Sequence, residues 1–138
     1  MPKARTIRGR VEQCRQWLEE HYPPAFPVTV RWQKYCAGFG KSDIGQVTKR
    51  EWDYGIHGWC EKHGSRFVIA LSSRRLRTRQ DACEILMHEW SHALSEKFAK
   101  LERRRLSVHD DEFFLTWGRI HRAWNEKGGA EAADKYEF

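Results

Sequence analysis

From Thr78 the helical propensity of the chain stays high through Lys100, and two histidines four residues apart, His88 and His92, fall inside that stretch. This segment constrains the fold more than any other. Side chains at i and i+4 project from one face of a helix, so both imidazoles reach toward a common point. The apolar positions Ala82, Ile85, Leu86, Ala93, Leu94 and Phe98 mark the face that must be buried. Thr78 is the candidate N-cap, with Asp81 three positions on as a weak form of the capping box.

The residue types suit metal-assisted hydrolysis. Two neutral imidazoles hold an ion, which lowers the pKa of a water to roughly 7. Glu89, one position after the first histidine, lies on the adjacent side of that face and can take the proton and later return it. A catalytic zinc also needs a third protein ligand and an open position. His109 is the best-placed candidate, 17 residues after His92 and just before a second helical stretch. Asp110, Asp111 and Glu112 follow it directly, as alternative ligands or as partners that orient an imidazole. His121 is twelve residues beyond His109 on that helix, about 18 Å at the rise of an α-helix, and cannot share the ion.

The rest of the chain reads as one α+β domain over its 138 residues, with flexible tails expected at 1–3 and about 129–138. An amphipathic helix is expected from about Ala4 to Glu20, with Ile7, Val11, Cys14, Trp17 and Leu18 on its apolar stripe. Pro23, Pro24 and Pro27 end it. Val28 to Tyr35 alternates like a strand, and a short strand is expected around Ile44 to Thr48. Tyr54 to Glu61 and Arg66 to Ser72 form a hairpin about Lys62-His63-Gly64-Ser65. The second of these strands is apolar throughout its middle, as for one buried on both faces. A last helix runs from near Asp110 to about Glu126, with Phe113, Phe114, Trp117, Ile120 and Trp124 as its stripe and Gly128-Gly129 as its stop.

No apolar run approaches the roughly 18 residues of a membrane span. The basic start MPKARTIRGR has no apolar segment behind it, so the cytoplasm is the expected compartment. None of the four cysteines forms a CxxC pair, and buried free thiols are expected. The net charge of +6 concentrates in the N-terminal arm (Lys3, Arg5, Arg8, Arg10), in Arg74 to Arg79 and in Arg103 to Arg105. Such patches either track a DNA or RNA backbone or are simply solvated.

His57, Cys60 and His63 form an HxxCxxH pattern, but in a strand positions 57 and 63 face one side and 60 the other, so they do not converge. His57 or Tyr54, on a strand near the motif helix, is a candidate donor for a substrate oxyanion; a half-exposed strand residue is the plainer alternative.

The blocks Ile85-Leu-Met-His-Glu-Trp-Ser-His-Ala-Leu94 and His109-Asp-Asp-Glu-Phe113 resemble the SprT-like zinc metallopeptidases. In that family an HExxH helix is followed by a third histidine with an aromatic residue four positions on. Phe113, Gly118 and Ile120 match the ending of small phage-type relatives, and the Phe67 to Ser72 strand fits the layout. The resemblance spans roughly residues 28 to 125. It implies that His88, His92 and His109 bind one zinc ion and that Glu89 is the general acid/base. It also implies a zincin-like domain, with a small mostly antiparallel sheet packed on the HExxH helix and a polypeptide substrate extended along an edge strand. The chain lacks the CxxC pairs of the zinc ribbon found in longer relatives. The expectation is therefore a zinc endopeptidase, monomeric by default, acting on proteins that include nucleic-acid-associated ones. The alternative is a non-catalytic zinc-containing module that binds nucleic acid.

Overall fold

The computed structural model describes residues 2–34, 56–95 and 109–127. Within them the elements run α1 (Ile7–His21), β1 (Val28–Gln33), β2 (Gly58–His63), β3 (Arg66–Ser72), α2 (Arg79–Ala93) and α3 (Asp111–Glu126). The architecture is α+β: three helices on a small three-stranded mixed sheet. The strand expected at Ile44 to Thr48 and the patch Arg103 to Arg105 lie outside the described residues.

Local chemistry explains where the helices begin. The hydroxyls of Thr6 and Thr78 and a carboxylate oxygen of Asp110 accept hydrogen bonds from the N–H groups of Gly9, Asp81 and Phe113, each three residues on. These side chains satisfy donors that the first helical turn leaves open. The hairpin turn is tighter than expected. Strand β2 runs to His63 and only Gly64-Ser65 connects it to β3, with Gly64 at a φ of 59°. Such a two-residue loop requires a left-handed residue, which glycine adopts without steric penalty.

Strand order is β1-β3-β2, so β3 is central. Strands β2 and β3 pair antiparallel, but β1 and β3 pair parallel, with Val28 opposite Phe67 and Gln33 opposite Ser72. The expected mostly antiparallel sheet is corrected here to a mixed one. The physical reason lies in the connection: β1 ends, and β2 begins, at the same end of β3 but on opposite sides of it. Strand β1 therefore cannot join the hairpin as a simple meander.

The register sorts the side chains. Val28, Val30, Trp32, Cys60, Phe67, Ile69 and Leu71 share one face and join the core with Val11, Leu18, Leu86, Met87 and Trp90 from the helices. On the opposite face Trp59, Glu61 and Ala70 are buried as well, so β3 is covered on both sides. Glu61, only 1% exposed, accepts hydrogen bonds from Trp59 Nε1 at 2.9 Å and His63 Nε2 at 2.6 Å. Burial pushes its carboxyl above the usual range, and the two donors oppose that rise.

Helix α2 is the hub, in contact with α1, α3, β2 and β3. Trp90, fully buried, donates its indole N–H to the Tyr22 carbonyl at 2.8 Å and fixes α2 against the end of α1. Cys14, Cys60 and Cys83 are free and buried, as expected; Cys36 lies outside the described residues. Among the described residues no helix is long and apolar enough to cross a membrane.

Candidate metal centre

His88 and His92 leave α2 one turn apart, and His109 stands just before the N-cap of α3. Contact between α2 and α3 brings the three rings together. One candidate ligand atom from each lies within 4.8 Å of the others, the one such group of three or more His, Cys, Asp or Glu among the described residues. His88 Nε2 and His109 Nε2 are 3.2 Å apart. Two nitrogens bound to one tetrahedral zinc, each about 2.0–2.1 Å from it, are about 3.3–3.4 Å from each other, so the spacing fits. His92 is buried, His88 half-buried and His109 exposed, which leaves one side of the cluster open to solvent.

The carboxylates after His109 do not join this group. Asp110 caps α3 through its Oδ1, and Asp111 is exposed in the first turn. Phe113 has the larger part. Its ring lies 4.4 Å from that of His92 in a stacked arrangement, and 5.0 and 4.6 Å from those of His88 and His109. It forms a shared floor under the three imidazoles. Trp117, one turn on, meets His88 edge-on at 5.4 Å. The next rung between the helices is His121, whose Nε2 donates to Glu84 at 3.2 Å while Asn125 donates to its Nδ1. That position removes His121 from the centre, as expected from its distance along α3.

Burial, reinforced by the neighbouring His109, pushes the His88 imidazole down to about 4 from an ordinary 6.5. Neutral imidazole is the form that binds a metal. A lowered folded-state pKa also means that the unfolded chain takes up the proton first. His88 therefore contributes stability above about 6.5 that is lost as pH falls toward about 4. Urea midpoints of the metal-free protein are expected to drop across that window. A His88→Gln variant should show a shallower drop, and equal slopes would contradict this origin.

Glu89 is not one of this ligand group. It is 8% exposed and lies on the side of α2 that faces β2. Its charge is felt by the buried Cys60 thiol, whose pKa burial has already raised. A Cβ placed on Gly58 would come within 3.3 Å of Glu89 Cγ and 2.6 Å of Ile85 Cγ2. Sequence reading did not single out Gly58, although a glycine at a strand start is a known sign of close approach. Gly58→Ala is expected to destabilise by about 1–3 kcal/mol through overpacking. Its cost should shrink in an Ile85→Ala background, which lacks the colliding methyl; additive urea-denaturation losses would refute the contact.

The weaker candidates separate. His57 is exposed, and its carbonyl accepts the Ser72 N–H at 2.9 Å. It borders a shallow cleft of about 260 Å³ with Arg75, Asp81, Glu84 and Ile85, roughly one turn or more of α2 before His88. It is not in the three-histidine group. Tyr54 lies outside the described residues. His57, Cys60 and His63 do not converge: Cys60 is buried in the core and His63 is bound to Glu61. Of the basic residues, Lys3, Arg5, Arg8, Arg74 and Arg77 are exposed, but Arg10 is buried over Trp124 at 4.6 Å. Arg10 therefore leaves the expected surface patch. Arg79 donates to the carbonyl of Ala4 at 3.1 Å and joins the N-terminal arm to the first turn of α2. Comparison of the chain with protein-family models, curated proteins and solved structures finds no match.

Proposed function

We propose that this chain is a zinc-dependent peptidase of the SprT-like type, with His88, His92 and His109 as ligands and Glu89 as general acid/base. The observation that carries the reading is the convergence of three imidazoles on one point, with a buried carboxylate one residue after the first. Three imidazole ligands favour zinc among the common divalent ions. Bound there, zinc would supply Lewis-acid polarisation and a more acidic water. Glu89 accepts the proton of the attacking water and delivers it to the leaving amine. A structural site has no use for such a base. Strand β2 is one of the two edges of the sheet among the described strands and lies against α2 beside Glu89. An extended polypeptide added along such an edge would run past the base, in the zincin manner.

A second reading, a non-catalytic zinc module that binds nucleic acid, is favoured by one observation: the Arg79 contact that brings two basic segments together. Bound zinc and casein cleavage, measured with and without DNA, separate the two. Stoichiometric zinc with cleavage supports the peptidase. Zinc with DNA binding and no cleavage under either condition supports the module.

A further inference from the structure

Two large hydrophobic side chains are exposed among the described residues, Phe114 at 53% and Leu115 at 58%, and they are consecutive near the start of α3. Single exposed apolar residues are ordinary on protein surfaces. The position of Phe114 is what makes it informative. Its ring centroid lies 6.2 Å from that of His109 and 5.5 Å from that of Phe113. Phe113 underlies the three imidazoles, so Phe114 continues the apolar floor outward, on the side where His109 is exposed.

Packing of α3 does not account for an aromatic at this position. The helix buries Phe113, Ile120 and Trp124, at spacings of seven and four; Phe114, expected on that stripe, falls off it because it lies about 100° round the helix from Phe113. A polar residue would serve the helix as well and would be better solvated. Leu115 lies about 100° further round the helix and is left out of the assignment.

We propose that Phe114 is a specificity-determining residue, whose ring seats an apolar side chain of the polypeptide substrate beside the bond presented to the three-histidine centre. The inference rests on the peptidase reading above. An acidic or strongly polar uncharged substrate residue would gain little against this ring and would lose hydration. An apolar residue would cover the ring and part of the His109 edge, removing both from water.

The test uses the zinc-loaded full chain. Casein digests are mapped by mass spectrometry, and two peptides are then made that differ only by Leu or Ser at the preferred flanking position. Wild-type cuts should carry Leu, Phe, Met, Ile or Val on one constant side. Phe114→Ser should lower kcat/KM roughly tenfold on the Leu peptide and by no more than about twofold on the Ser peptide. Its bound zinc and circular-dichroism spectrum should be unchanged, and Phe114→Leu should restore the preference. Cuts without a flanking preference, or an unchanged Leu/Ser ratio in Phe114→Ser, overturn the proposal and leave the peptidase reading intact. Loss of zinc in Phe114→Ser overturns it too, since the ring would then support a ligand. A wild type that cuts neither casein nor peptides removes both readings together.

Discussion

Glu89→Gln is expected to keep zinc at full occupancy and to lose cleavage by roughly 10²–10⁴-fold, the range that a positioned acid/base supplies. The geometry separates the two effects. Glu89 lies on the flank of α2 turned to β2, while the ligand nitrogens gather against the start of α3. Glutamine has nearly the same shape, so it neither opens a cavity beside Gly58 nor disturbs the imidazoles. The urea midpoint of the metal-free variant separates a loss of fold from a loss of chemistry. Zinc content by atomic absorption and initial rates on labelled casein are the other two measurements. Retained cleavage would remove Glu89 from the reaction. Lost zinc would make it a ligand, which the present geometry does not support.

Much of this site was legible in the sequence because its parts are local. The spacing of His88 and His92 fixes a shared helix face without tertiary information, and Thr78 and Asp110 announce the two helix starts through their capping oxygens. Placing His109 within reach of the other two needed the resemblance as well as the spacing. The structure adds the reason for an aromatic four residues later: Phe113 is the floor on which the three rings rest. The parallel pairing of β1 with β3 was not legible. Alternation shows which side chains share a face, but it is silent on the direction of a neighbouring strand. Gly58, too, acquires meaning only once β2 and α2 are side by side. The same holds for Arg10, whose guanidinium charge suggests surface and whose helix position turns it onto Trp124. Long-range packing decided each of these, and periodicity does not encode it.

The second large effect is expected at His109. His109→Ala should weaken zinc binding by more than the roughly 10–100-fold that follows loss of an outer partner of a ligand, and cleavage should fall with it. The residue is exposed and precedes α3, whose cap is supplied by Asp110. Without metal, the variant should therefore be within about 0.5 kcal/mol of the wild type, as for most surface substitutions. With metal the two must diverge. Free zinc at a hundred times its dissociation constant stabilises a folded protein by about 2.7 kcal/mol, and a variant bound a hundredfold more weakly keeps only about 0.4 kcal/mol of that. Melting curves with and without zinc thus read the ligand role directly, independent of any substrate. A zinc-induced shift of equal size in both proteins would show that His109 is not a ligand. Asp111 and Glu112, the side chains after the Asp110 cap, would then be replaced in turn. A shift abolished in His109→Ala but retained in Glu89→Gln would divide the cluster into a metal-binding half and a chemical half, the division that a hydrolytic centre requires and a structural zinc site does not.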